Sequence, residues 1–114
     1  MAALPNCETL LLSLDAGVLH ITLNRPDSRN AMSLAMVNEL RGVLESLRND
    51  LNTRAIVLRG AGGHFCAGGD INDMAGARAA GGDAYRSLNR AFGSLLEEAQ
   101  SAPQALIAVL EGAV

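Results

Sequence analysis

The sequence predicts a layered α/β protein in which helices cover a sheet. Three observations carry that expectation. Short runs rich in Leu, Val and Ile alternate with two segments whose apolar residues recur every three or four positions. The later runs are continuously apolar, as in strands buried under helices. Most of the 12 glycines fall between Gly60 and Gly93, which marks loops where the backbone approaches something closely.

Thr9 to Leu14 and Val18 to Asn24 read as the two strands of a hairpin, with Asp15-Ala16-Gly17 as a three-residue loop. Asn24-Arg25-Pro26-Asp27-Ser28-Arg29-Asn30 then breaks the strand, because Pro26 has no amide donor and Asn, Asp and Ser favour local turns. Ser33 is suited to cap a helix. After it Met36, Val37, Leu40, Val43, Leu44, Leu47 and Leu51 form one apolar stripe, about four to five turns long. Gly42 inside that stripe costs about 1 kcal/mol relative to Ala, which suggests close packing at that point.

Ala55 to Leu58 predicts a buried strand, and Gly60 to Gly69 a loop. A short helix is expected from Asp70, with Ala75 to Gly82 a mobile Ala/Gly segment. Asp83 is expected to cap a further helix whose apolar face is Tyr85, Leu88, Phe92, Leu95, Leu96 and Ala99, stopped by Pro103. Leu106 to Leu110 predicts another buried strand. The order β-β-α-β-loop-α-β fits one domain over residues 1–114, with no internal repeat.

Composition narrows the function. A net charge of -3 without a basic stripe argues against nucleic acid as a partner. No apolar run reaches the roughly 18–20 residues that span a bilayer. Met1 to Thr9 lacks the basic flank and apolar stretch of a signal peptide, so a soluble cytoplasmic protein is expected. Cys7 and Cys66 are expected to be reduced thiols.

The glycine loop invites several readings. Gly60-Ala61-Gly62-Gly63-His64-Phe65 half-matches a dinucleotide fingerprint, but Phe65 replaces the third glycine and no helix opens at once. Cys66 with His64 lacks a third orienting group for a nucleophile, and a buried small side chain is the simpler reading. His20, His64, Cys7 and Cys66 match no zinc spacing, and no metal is expected. In Ala67-Gly68-Gly69-Asp70-Ile71, small residues would let a ligand reach the backbone. A helix start at Asp70 would set the Gly69 amide beside a positive N-terminal end. Asp70 itself reads as a helix cap, and Gly69 alone also fits an ordinary turn glycine.

Three motifs together resemble the enoyl-CoA hydratase/isomerase (crotonase) family. They are Ile21-Thr22-Leu23-Asn24-Arg25-Pro26 with Arg29-Asn30-Ala31-Met32-Ser33, then Phe65 to Ile71, then Pro103 to Gly112. The resemblance implies a crotonase-like spiral of ββα units, incomplete in this chain, assembled as a homo-oligomer, a trimer or a pair of trimers. It implies an acyl-CoA thioester substrate and no cofactor besides the coenzyme A that the substrate carries. By position, the resemblance implies that Gly69 is the oxyanion-hole amide. It likewise implies that Arg29 and Ala31 lie along the CoA, that Ala67 meets the adenine through its backbone, and that Asp70 and Ile71 flank the same channel.

Hydration of a 2-enoyl-CoA is the reaction that the resemblance first implies; isomerase, hydrolase, dehalogenase and decarboxylase variants share this front half. Gly-Gly-Asp-Ile followed by Asn72-Asp73-Met74 looks like hydratases of bacterial acyl-CoA degradation, for branched glutaconyl-type or terpenoid-derived thioesters. The family's second oxyanion amide and its acid/base carboxylates lie beyond the equivalent of Val114, and Glu111 stands where many relatives have Asn. The chain alone is therefore expected to be inactive. Two readings follow: a portion of a longer hydratase, or a short noncatalytic acyl-CoA-binding or assembly partner. The first expects the gene to continue past Val114 into a Gly-rich turn and later Glu or Asp; an in-frame stop there supports the second.

Overall fold

A computed structural model describes residues 4–114; the first three residues of the Met1–Thr9 segment lie outside the described residues. Four strands form one sheet in the order β1 (Leu10–Asp15), β2 (Val18–Leu23), β3 (Ala55–Gly60), β4 (Ala105–Ala108). β1 and β2 are antiparallel, whereas β2, β3 and β4 run parallel. Helix α1 (Leu34–Ser46) connects β2 to β3, and α2 (Ile71–Ala80) and α3 (Gly82–Gln100) connect β3 to β4.

The hairpin turn is tighter than expected. Asp15 pairs with Val18, so only Ala16 and Gly17 form the loop. Both have positive φ, 50° and 81°, the twist that matches two right-twisted strands. One face of the sheet (Leu10, Leu19, Ile21, Leu23, Ile56) packs on Met36, Leu40, Val43, Leu44 and Leu47. That is the predicted stripe, except that α1 stops at Ser46 and Leu51 is 83% exposed. The Asp50 carboxylate accepts the amides of Asn52 and Thr53, and Gln104 Nε2 donates to the carbonyls of Leu47 and Asp50. These partners favour a turn over continued helix. Ser33 caps α1 as expected, accepting from the Met36 amide at 3.1 Å.

The expected mobile segment at 75–82 is instead most of α2 and the start of α3. Asp70 caps α2, and alanines extend it cheaply although none of its residues is buried. Gly81, not Asp83, is the N-cap of α3; its φ of 116° breaks the chain between the helices, and Asp83 pairs with Arg86 in the first turn. Small residues at Gly76, Ala77 and Ala84 leave a groove of about 460 Å³ between α2, α3 and the start of α1. Leu88 and Ala91 are buried as the α3 face, but Leu96 points outward at 70% exposure. It sits one position past Leu95, about 100° around the helix.

β4 was expected to be buried and is not. Leu106 and Ile107 are 44% and 52% exposed, because β4 is the last strand of the sheet and α1 covers the β1–β3 side. No helix among the described residues is long and apolar enough to cross a membrane.

Gly42 also differs from expectation: a Cβ there would meet nothing within 4 Å. Its cost is therefore conformational only, and Gly42→Ala should raise the unfolding free energy by about 0.5–1 kcal/mol in urea titration. Gly60→Ala should do the opposite. Its Cβ would fall 1.9 Å from the His64 carbonyl oxygen, so backbone must move, and a matching or higher urea midpoint would contradict this packing.

Candidate functional site

β2, β3 and β4 all end on the same side of the sheet, where ligands bind in open parallel sheets. Three segments leave those ends and meet there: residues 24–33 after β2, 61–70 after β3 and 109–114 after β4.

Asn30 joins the first two. Its side chain is fully buried. Its Oδ1 accepts from the Arg25 amide at 2.8 Å, and its Nδ2 donates to the carbonyls of Ala61 and His64 at 2.9 and 2.8 Å. Arg29 and Asn30 both adopt left-handed backbone, with φ of 50° and 57°, so the chain reverses sharply after the 3-10 turn Pro26–Ser28. The third segment docks through backbone bonds: Phe65 N donates to the carbonyls of Glu111 and Ala113, and Cys66 N to Ala113. His64 Nδ1 accepts the Ala113 amide at 2.9 Å.

The predicted site residues lie on the first two of these segments and at the start of α2. Ala67 donates its amide to the Arg29 carbonyl at 3.0 Å, so these two positions are brought together. Met32 and Gly69 form a parallel bridge: Met32 N donates to Gly68 O at 2.6 Å, and Asp70 N donates to Met32 O at 3.0 Å. In such a bridge the residue between the two bonds turns its own N–H and C=O away from the partner strand. Gly69 is that residue. It is exposed, and its amide has no hydrogen-bond partner among the described residues. Gly68 needs glycine for its φ of 101°; at Gly69 a Cβ would crowd Met74 Sδ at 3.1 Å. Ala31 is half-buried beside the bridge, and Ile71 opens α2 at 80% exposure.

Asp70 is buried and doubly engaged. Oδ1 accepts the Asp73 amide at 3.0 Å, and Oδ2 pairs with Arg25 Nη2 at 3.0 Å. The Asp73 amide, and then the Arg25 guanidinium, hold its carboxyl below the ordinary range against the opposing effect of burial. Asp73 in turn accepts the Leu34 amide at 2.7 Å. Cys66 is buried, with Sγ 3.4 Å from the Gly68 amide, as a small packing residue would be. No group of three or more metal-ligating side chains occurs among the described residues. After β3 the glycine loop makes only a 3-10 turn at Ala61–Gly63, and no α-helix opens before Ile71, whereas the dinucleotide reading requires one at once.

Arg25 and Asn30 were not singled out as site residues from sequence. The signal for Asn30 was available only indirectly: a polar residue ending a turn-rich segment, with nothing to mark it as buried.

The sequence pattern of the enoyl-CoA hydratase/isomerase family matches residues 13–114. Among solved structures, Pseudomonas aeruginosa AtuE is 76% identical with a TM-score of 0.92, over 94% of this chain and 42% of that one. An enoyl-CoA hydratase/isomerase from Marinobacter aquaeolei is 52% identical with a TM-score of 0.88, over 93% of this chain and 42% of that one. The mitochondrial 3-hydroxyisobutyryl-CoA hydrolase of Rattus norvegicus is 39% identical over 98 residues, 85% of this chain and 25% of the hydrolase. The chain thus spans less than half the length of each of these relatives.

Because Asp70 has a lowered folded-state value, its ionisation stabilises the fold above the unfolded carboxylate range, near pH 3.9. That contribution is lost as pH falls through the depressed folded value. Asp70→Asn keeps a competent cap but removes the charge. Its unfolding free energy should therefore depend less on pH below about 5 than that of the unaltered protein, in urea titrations at several pH values. Parallel pH curves would contradict the lowered folded-state value of Asp70.

Proposed function

The chain belongs to the enoyl-CoA hydratase/isomerase family, and from that premise we propose that the whole protein is an enoyl-CoA hydratase, adding water to a 2-enoyl-CoA. The single observation that carries the reading is the unpartnered, outward-turned amide of Gly69 between two pinned neighbours. When water attacks C3 of an enoyl thioester and gives one proton to a base, the C2–C3 electron pair moves onto the thioester oxygen, and C2 then takes a proton from an acid as the carbonyl re-forms. A fixed amide aimed at that oxygen stabilises the enolate more than the substrate. The adjacent positive end of α2 acts in the same sense.

The nearby carboxylates support a division of labour. Asp70 is committed to Arg25 and the Asp73 amide, and Asp73 to the Leu34 amide. Neither is free to shuttle a proton. The acid and base therefore belong to groups other than these two, as the family resemblance implies. Arg29, Ala31 and Ala67 lie on one rim of the loops, which supports their assignment to the CoA channel, with Asp70 and Ile71 at its flank. Coenzyme A enters as part of the substrate, and no separate cofactor is assigned. The stretch Gly-Gly-Asp-Ile-Asn-Asp-Met, which looks like that of hydratases of bacterial acyl-CoA degradation, makes branched glutaconyl-type or terpenoid-derived thioesters the substrates to try first. Assembly as a trimer or pair of trimers, and a cytoplasmic setting, complete the proposal; free Cys7 and Cys66 suit a reducing compartment. The hydrolase relative keeps the thioester reading but makes hydrolysis the competing reaction.

The test is Gly69→Pro against Gly69→Ala in the whole protein, assayed for 2-enoyl-CoA hydration. Proline deletes the amide and should lower kcat by about 100-fold or more. Alanine keeps it and should lose far less. Equal turnover in the proline variant would overturn the oxyanion assignment. Calorimetric CoA binding with no turnover of any 2-enoyl-CoA would favour a noncatalytic binding partner.

A further inference from the structure

We propose that Arg25 is a positioning residue for the reaction, setting the direction of the Gly69 amide by stapling together the two segments that form the Met32–Gly69 bridge. The inference rests on the oxyanion reading of Gly69.

The peptide bond between Gly68 and Gly69 is planar and trans, so the Gly68 carbonyl and the Gly69 N–H point in opposite directions. The Met32 amide fixes the carbonyl at 2.6 Å, and in doing so it aims the N–H. The aim is therefore only as firm as the register between residues 31–32 and 68–70. Among the described residues the backbone ladder at that register is one short bridge, with the single Ala67–Arg29 bond beside it.

The Arg25 guanidinium spans it. Nη1 donates to the Ala31 carbonyl, and Nη2 pairs with Asp70 Oδ2 at 3.0 Å. Ala31 and Asp70 are the residues directly flanking the bridged pair Met32 and Gly69. A single rigid fork thus holds one group on each side of the bridge. Arg25 is itself fixed from behind, because its amide donates to the buried Asn30 Oδ1. Its side chain is 25% exposed and that of Asp70 is 9% exposed, so water competes little for the pair.

Lysine cannot reproduce this geometry. An ammonium is a point charge on a flexible stem, and it cannot present two parallel donors in one plane. A slack bridge would let the 68–69 peptide rotate. The substrate would still bind, but the amide would no longer meet the developing charge, and misplacement of that kind costs about 10- to 100-fold in rate.

The experiment compares Arg25→Met, Arg25→Lys, Gly69→Pro and the double variant Arg25→Met/Gly69→Pro in the whole protein. The probe is the 2-enoyl-CoA turned over fastest among a chain-length and branching series. Expected results are a fall in kcat of about 10- to 100-fold for Arg25→Met with KM little changed, and partial retention in Arg25→Lys. The thioester carbonyl stretch of bound probe, read by Raman difference spectroscopy, should move back toward its free value in the same order. A residue that only held the fold together would leave that frequency unchanged in the folded fraction. Arg25→Met should add little to Gly69→Pro, since both act on one donor.

If Gly69→Pro keeps both rate and carbonyl shift, the oxyanion reading fails. If Gly69→Pro loses both while Arg25→Met keeps both, the positioning role alone is overturned. Should Arg25→Met not fold, Arg25→Lys decides: full rate and full carbonyl shift would overturn the proposal, and a reduced shift with KM retained would support it.

Discussion

A carboxamide shut away from solvent between two loops organises this end of the molecule. Asn30 uses one acceptor and both donors, and every bond goes to backbone: one to Arg25 in its own turn, two to Ala61 and His64 in the loop after β3. A buried amide left unpaired would cost about 1–3 kcal/mol, so the loops hold the geometry that satisfies it. That geometry requires left-handed backbone at Arg29 and Asn30, and asparagine tolerates it better than most side chains. It also requires Gly60, because any Cβ there would strike the His64 carbonyl and approach Asn30 Nδ2. The turn after β2 and the loop after β3 are therefore one unit.

The candidate site hangs from that unit. The Arg29–Ala67 bond, the Met32–Gly69 bridge and the Arg25–Asp70 pair follow each other down the seam between the two loops. The seam is mostly backbone; apart from the Arg25–Asp70 ion pair, the side chains that enter it pin backbone groups. This construction suits the proposed role of the Gly69 amide. Backbone donors need no rotamer to be held, and the glycine at 69 leaves the approach open. The chain end joins the same seam, with Glu111 and Ala113 accepting from Phe65 and Cys66.

The far side of the structure obeys simpler rules. α1 buries one apolar stripe on the sheet, and Glu39 ties the start of β1 to it by accepting the amides of Glu8 and Thr9. Arg41 and Glu98 connect α1 to α3 through a bidentate pair, half-exposed and worth little in water. These contacts set the platform at a distance from the seam. The position of the seam is fixed instead by where three parallel strands end.

Periodicity and composition determined the hairpin, both main helices, the central strand and their order, because burial of an apolar face needs a repeat that the sequence must carry. The three motifs likewise identified the family and pointed at Gly69 and Asp70. Element ends were less legible. α1 stops at Ser46 because Gln104, 57 residues away from Leu47, satisfies a carbonyl there. α2 forms where mobile chain was expected because Asp70 caps it, and Gly81 separates it from α3. Exposure of Leu96 and β4 depends on which face neighbours cover, which no local pattern records. The tertiary structure alone decided that Arg25 and Asn30 stand behind the Gly69 amide. Their partners are backbone atoms, and a backbone carbonyl has no letter in the sequence by which its neighbour could be guessed.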